Sequence, residues 1–89
     1  MTSNQKAPKI KTATIRVYPF FGTRHMGGSV LYRGRGPHID YVPTKHIAME
    51  TLQQLAKRCG FTHYRLDGNM KRFGIDQMPS HQELAASIT

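Results

Sequence analysis

The hydrophobic positions alternate with a period of two, change to a helical stripe mid-chain, and then alternate again. Thr12 to Tyr18 puts Ala13, Ile15 and Val17 on one face and Thr14, Arg16 and Tyr18 on the other, which predicts a half-buried strand. Pro19 ends it or confines that end to a sheet edge. Phe20 to Gly28 predicts a loop, with Gly22, Gly27 and Gly28 as breakers. Ser29 to Arg33 predicts a second strand, antiparallel to the first, with Val30 and Tyr32 opposite Leu31 and Arg33. After Gly34-Arg-Gly-Pro37, residues His38 to Val42 suit a third short strand with Ile39 and Tyr41 on one side.

The helical stripe follows Pro43. Thr44 suits an N-cap, and Ala48, Leu52, Leu55, Ala56 and Cys59 recur at helical spacing. Lys57 and Arg58 fall in the last turn, where cations complement the macrodipole. Gly60 and Phe61 supply the left-handed residue and the apolar contact of a Schellman ending. Beyond the helix, Thr62 to Leu66 predicts a strand with Thr62, Tyr64 and Leu66 opposite His63 and Arg65. Asp67-Gly68 signals a hairpin, and Met70 to Ile75 the returning strand. Ser80 and Glu83 have capping-box spacing ahead of Leu84 and Ile88. A helix that short forms only if Leu84 and Ile88 find a groove.

The predicted order is β-β-(β)-α-β-β with an optional last helix. This is an α+β fold, a small antiparallel sheet with one main helix packed on one face. Residues 12–76 form the single domain. Residues 1–11, with Lys6, Lys9 and Lys11, read as a flexible basic tail, and residues 77–89 as a C-terminal tail or short helix.

Charge changes the picture more than size does. Thirteen Lys and Arg against five Asp and Glu leave a formal charge of +8 on 89 residues. Such a field attracts nucleic acid, anionic membrane or an acidic protein surface. Membrane is disfavoured, because no apolar run approaches the roughly 20 residues of a span and the helix lacks an aromatic apolar face. A lone cysteine and the absence of an apolar leader point to the cytoplasm.

Gly22 to Gly36 holds three of the thirteen cationic residues, five of the eight glycines, and no acid. Arg33 and Arg35 alternate with glycine, which suits bidentate contact with phosphate or carboxylate. Arg24 and His25 from the preceding loop would extend them into one basic rim. Solvated arginines on a glycine turn are the bland alternative. Arg65, Lys71 and Arg72 flank the second hairpin and repeat the theme. Tyr64 and Phe73, close to them in sequence, fit the core better than base stacking.

Catalytic and metal chemistry find little footing. His25, His38, His46, His63 and His81 meet no zinc spacing, and Cys59 has no partner cysteine. Cys59 reads as a small core residue at the dipole end that disfavours thiolate. The five carboxylates form no close pair for nuclease chemistry. No glycine loop runs into a helix to cradle a nucleotide. These features predict a non-enzymatic protein without cofactor or metal, binding nucleic acid or a nucleoprotein through its Arg/Gly-rich surface.

In size and element order the chain resembles small accessory proteins of phages and mobile elements, several of which inhibit host nucleases, polymerases or CRISPR complexes. That resemblance implies an alternative: inhibition of a host nucleic-acid-processing complex by protein-protein contact. Phe20, Phe21, Tyr32 and Tyr41 would then serve as aromatic anchors. Phe20 and Phe21 are adjacent in a loop, so both cannot easily point inward.

Overall fold

The chain builds its sheet around the first strand. In the computed structural model, which describes residues 9–87, the elements are β1 (Thr12–Pro19), β2 (Met26–Leu31), β3 (His38–Val42), α1 (Lys45–Arg58), β4 (His63–Leu66), β5 (Arg72–Gly74) and α2 (His81–Ser87). The five strands lie in the order β3-β2-β1-β4-β5. The protein is therefore α+β, with one main helix and a short C-terminal one. Among the described residues, no helix is long and apolar enough to cross a membrane.

The sheet is mixed rather than wholly antiparallel. β1 pairs antiparallel with β2 but parallel with β4. The reason is directional. β2, β3 and α1 each reverse the chain, so β4 sets out in the direction of β1 and joins its free side.

The alternation of β1 is realised as expected. Ala13, Ile15 and Val17 are buried, and Ile15 and Val17 lie opposite Val30 and Gly28 of β2. Tyr64 and Leu66 pair with Ala13 and Ile15, and Phe73 lies opposite Tyr64. α1 packs against β1, β2 and β3 and buries Ala48, Met49, Leu52 and Ala56. Leu84 of α2 enters the same core. Each fully buried Leu, Ile or Val contributes about 1.5–3 kcal/mol relative to exposure.

The helix ends match the sequence reading. The Thr44 hydroxyl accepts from Ile47 N–H at 3.1 Å. Phe61 N–H donates to the Ala56 carbonyl and Gly60 N–H to the Lys57 carbonyl, both at 3.1 Å, with Gly60 at φ 90. This is the Schellman pattern. Cys59 is a correction: it is the C-cap residue and is exposed, not core. It lies on the azimuth of the stripe but past the last helical residue, Arg58, where the chain turns away at Gly60.

β2 and β5 also differ in extent, and β3, which spans His38–Val42 as expected, differs in its facing. β2 begins at Met26, so Gly27 and Gly28 lie inside a strand rather than a loop. Their lack of side chain serves close packing. A Cβ at Gly28 would collide with the Arg16 carbonyl and Leu52, and one at Gly27 would sit 2.6 Å from the Phe20 ring. β5 shortens to Arg72–Gly74, because residues 67–71 form a loop wider than a two-residue hairpin. In β3, Ile39 and Tyr41 do not share a face. Met26 pairs with Val42 and Gly28 with Ile39, two steps on β2 against three on β3. The extra residue makes a bulge, Tyr41 takes φ 57, and Val42 joins Ile39 against the core.

The short α2 is capped reciprocally. Ser80 N–H donates to Glu83 Oε1 and Glu83 N–H to Ser80 Oγ, both at 3.1 Å. The Ser80 backbone bond, then the Lys71 ammonium, hold the Glu83 carboxyl below its ordinary range. Leu84 finds its groove; Ile88 lies outside the described residues, as do residues 1–8 of the basic tail. The other end of that tail is fastened. Lys11 N–H donates to Thr62 Oγ1, the Lys11 carbonyl accepts from Thr62 and His63, and its ammonium lies about 5 Å from the Tyr32 and Phe61 rings.

Candidate functional site

Period-two alternation gives every core-facing residue a neighbour that faces the other way. Among the described residues, no helix covers that second face. The pairing sets out its rows. Leu31, Thr14, Arg65 and Arg72 form one row across β2, β1, β4 and β5. His38, Ser29 and Arg16 form the next, and Arg16 reaches Asp67 beyond β4 with Nε to Oδ2 at 3.0 Å. Tyr18 lies opposite Gly27, further along β1.

The charges on this face are unevenly balanced. Asp67 offsets Arg16, and Asp40 lies 3.5 Å from His38. The remaining ion pairs among the described residues are Lys57 with Asp76 and Lys71 with Glu83. Among the described residues, neither Arg65 nor Arg72 has an ion-pair partner. They nonetheless stand directly opposite one another on antiparallel strands. Like charges so placed destabilise a sheet. With Thr12 and Met70 they line an open concavity of about 480 Å³. A second hollow of about 230 Å³ adjoins it through Arg65 and Met70 and extends to Thr14, Asp67 and Asn69.

An aromatic cluster occupies the far end of the same face. The Phe20 ring lies over Gly27, where any side chain would displace it. Tyr41 stacks on Phe20 with centroids 4.5 Å apart and planes at 21°, and Tyr18 meets Phe20 edge-on at 5.6 Å. His25 approaches Tyr41 edge-on at 5.9 Å. Phe20 is partly buried, whereas Tyr41 is 62% exposed and Phe21 92%. Phe20 and Phe21 thus diverge, one onto the sheet and one into solvent.

The residues singled out from sequence fall into three groups. Arg65 and Arg72 share the helix-free face, with Phe20 and Tyr41 at its far end and His25 beside Tyr41. Arg24 and Phe21 lie in the β1–β2 loop by that cluster. Arg33 and Arg35 sit in the β2–β3 turn, where Arg33 at φ 56 and Gly34 at φ 81 make the bend. That turn and the Arg24 loop are at opposite ends of β2, about 20 Å apart for six residues of strand, so the single Arg24–Arg35 rim does not form.

Lys71 and Tyr32 serve other purposes. Lys71 bonds Glu83 at 3.0 Å and lies 5.0 Å from the Phe73 ring, tying α2 to β5. Tyr32 packs beside Phe61, with centroids 5.5 Å apart. Tyr64 and Phe73 stack inside the core at 5.2 Å.

Arg16, Thr14, Tyr18 and Met70 join the face without having been chosen from sequence. Alternation already put the first three opposite the core. Only the parallel β1–β4 pairing brings Thr14 beside Arg65. His46 and His81 meet edge-on at 4.7 Å between the two helices. Among the described residues, no three His, Cys, Asp or Glu side chains gather into a metal-sized group.

Comparison with protein-family models, with curated proteins and with solved structures finds no match to this chain.

Proposed function

We propose that this protein is a non-enzymatic binding module that holds nucleic acid against the helix-free face of its sheet. One observation carries the reading. Arg65 and Arg72 stand side by side, without carboxylate partners among the described residues, over an open concavity. A polyanion relieves the repulsion between them, and phosphate oxygens match the guanidinium fork. Arg16, in the adjoining row, adds a third guanidinium and keeps its side chain half exposed while bonded to Asp67. Phosphate contacts give affinity with little sequence preference. The single free cysteine, Cys59, suits work in the cytoplasm.

A labelled oligonucleotide titrated with the protein at two salt concentrations tests this. With about three guanidiniums on phosphates, affinity falls roughly 20- to 40-fold between about 50 and 200 mM salt. Affinity that does not respond to salt sinks the reading.

A second reading is favoured by Phe21, an almost fully exposed aromatic at the tip of the β1–β2 loop. An apolar ring in that position suits an anchor in a partner's pocket. The protein would then resemble in function the phage and mobile-element inhibitors of host nucleic-acid-processing complexes. Affinity capture from cells with and without nuclease separates the two. A host protein retained after nuclease treatment selects the inhibitor.

A further inference from the structure

We infer that the ligand of the helix-free face is single-stranded nucleic acid, with a base stacked on Tyr41 and the adjoining backbone laid along Arg16, Arg65 and Arg72. This rests on the nucleic-acid reading and narrows it. Arginines alone do not choose between strand states, since phosphate is common to both. The aromatic cluster does.

Tyr41 is aimed by a departure from regular strand. The bulge in β3 inserts one residue between Ile39 and Val42, and Tyr41 absorbs it at φ 57. A bulky residue in the left-handed region costs about 1 kcal/mol or more. Without the bulge, Tyr41 would share the inner face with Ile39, as simple alternation predicts. With it, Val42 takes the inner position and the Tyr41 ring lies flat on Phe20, on the arginine face. Bulges commonly re-aim a side chain in this way next to functional sites.

Phe20 holds the platform rigid. It rests over Gly27 and is propped edge-on by Tyr18. One face of Tyr41 is therefore taken by Phe20, while the side chain as a whole remains largely exposed. His25 stands edge-on to it at 5.9 Å on the exposed β1–β2 loop, and the ring surface left open on this support suits the π-face of a base.

Duplexes keep their base faces stacked on one another and offer none to a surface ring. Unpaired strands offer every base. From Tyr18 to the Thr14–Arg65–Arg72 row is about 13 Å along β1, four residues of strand. A few nucleotides cross that distance, with phosphates passing Arg16. Asp67 and Asp40 sit on Arg16 and His38, which leaves the path net positive.

The test uses the whole chain and two labelled probes of equal phosphate number. One is an oligothymidylate of about twelve residues, within the ~4–16 nucleotides of known single-strand sites. The other is a DNA hairpin duplex. At one salt concentration the single strand binds at least about tenfold more tightly. Tyr41→Ala lowers its affinity about 5- to 150-fold, the range for removing one stacking ring, and leaves the duplex unchanged. Tyr41→Phe restores single-strand binding. Tyr41→Leu, which keeps apolar bulk on Phe20, behaves like Tyr41→Ala; circular dichroism shows whether each variant is folded.

If the duplex binds as well as the single strand, or if Tyr41→Ala and Tyr41→Leu change nothing while Arg72→Gln still weakens both probes, the single-strand inference falls and nucleic-acid binding stands. If neither probe binds, the underlying reading fails as well. Polyglutamate that binds as tightly as the oligothymidylate, with the same dependence on Tyr41, replaces nucleic acid by an acidic polypeptide.

Discussion

The two faces of this sheet are made by the same strands and differ in almost everything else. Along β1, the odd positions Ala13, Ile15 and Val17 are buried against α1, and each is at most 1% exposed. The even positions Thr12, Thr14, Arg16 and Tyr18 face away and carry hydroxyl, guanidinium and phenol groups. On β4 and β5 the division repeats, with Tyr64, Leu66 and Phe73 inward and Arg65 and Arg72 outward. The inward set has no charged member, and among the described residues no buried side-chain nitrogen or oxygen lacks a partner. The outward set holds two opposed arginines with no ion-pair partner among the described residues. One face is arranged to lower the free energy of the fold. The other tolerates repulsion that the fold does not need. Such a conflict is expected where residues serve a ligand rather than the core.

The comparison breaks most readily at the centre of the covered face. Leu52 is fully buried, and its Cδ1 lies close enough to Gly28 to exclude any side chain there. Leu52→Ala lowers the unfolding free energy by about 2–5 kcal/mol. In a domain whose total stability is of order 5–15 kcal/mol, that is a large share. Urea denaturation measures it. Oligonucleotide affinity of the folded protein stays within about twofold, because Leu52 is on the other side of the sheet. A loss well under about 1 kcal/mol shows that the covered face does not carry the fold.

A smaller effect comes from Tyr64, whose phenol is buried and donates to the Gln77 carbonyl. Burial, with the Glu83 charge second, pushes its pKa from 10.0 up to about 12. The folded value lies above the unfolded one. The neutral phenol therefore contributes stability that is fully present below about pH 10 and is lost as pH rises through about 12. Thermal melts show the folded state weakening across that window. Tyr64→Phe, compared at each pH, removes this part of the decline. If the two proteins lose stability in parallel from pH 10 to 12, Tyr64 is not the group responsible.

Much of the covered face was legible in the sequence, and less of the other. Alternation identified Ala13, Ile15 and Val17, while Thr44, Gly60 and the Ser80–Glu83 box marked helix ends, because each depends on local geometry. Alternation also turned Arg16 outward. What makes Arg16 and Arg65 neighbours is the pairing of β1 with β4, between residues about fifty positions apart, and no local pattern encodes that. Gly27 and Gly28 misled because glycine commonly breaks strands. Here they admit Phe20 and Leu52. Tyr41 was assigned to the wrong face because a bulge shifts alternation by one position, and single-residue insertions leave no periodic trace. Lys71 clustered with Arg65 and Arg72 in sequence, yet it faces Glu83. Three basic residues near one turn need not share one face when the strand between them alternates.

The smallest effect on stability separates the faces most sharply. Arg72 is exposed and stands opposite Arg65 with no carboxylate partner among the described residues. Arg72→Gln removes one of two repelling charges and keeps most of the side chain. It leaves unfolding free energy unchanged or raises it by up to about 1 kcal/mol, the size of a cross-strand pair effect. Arg65→Gln does the same for the same reason. The double variant gains no more than the larger single one, since a single substitution already ends the repulsion. Binding moves the other way. Each substitution removes one phosphate contact and flattens the salt dependence by about 0.7–0.9 in the logarithmic slope. A surface arginine that merely stays solvated changes neither quantity. An arginine that holds the fold costs stability when it is lost. A gain in stability together with a shallower salt slope is what a ligand-bearing face gives. A loss of stability at Arg72→Gln would mean that the two faces are not divided as described.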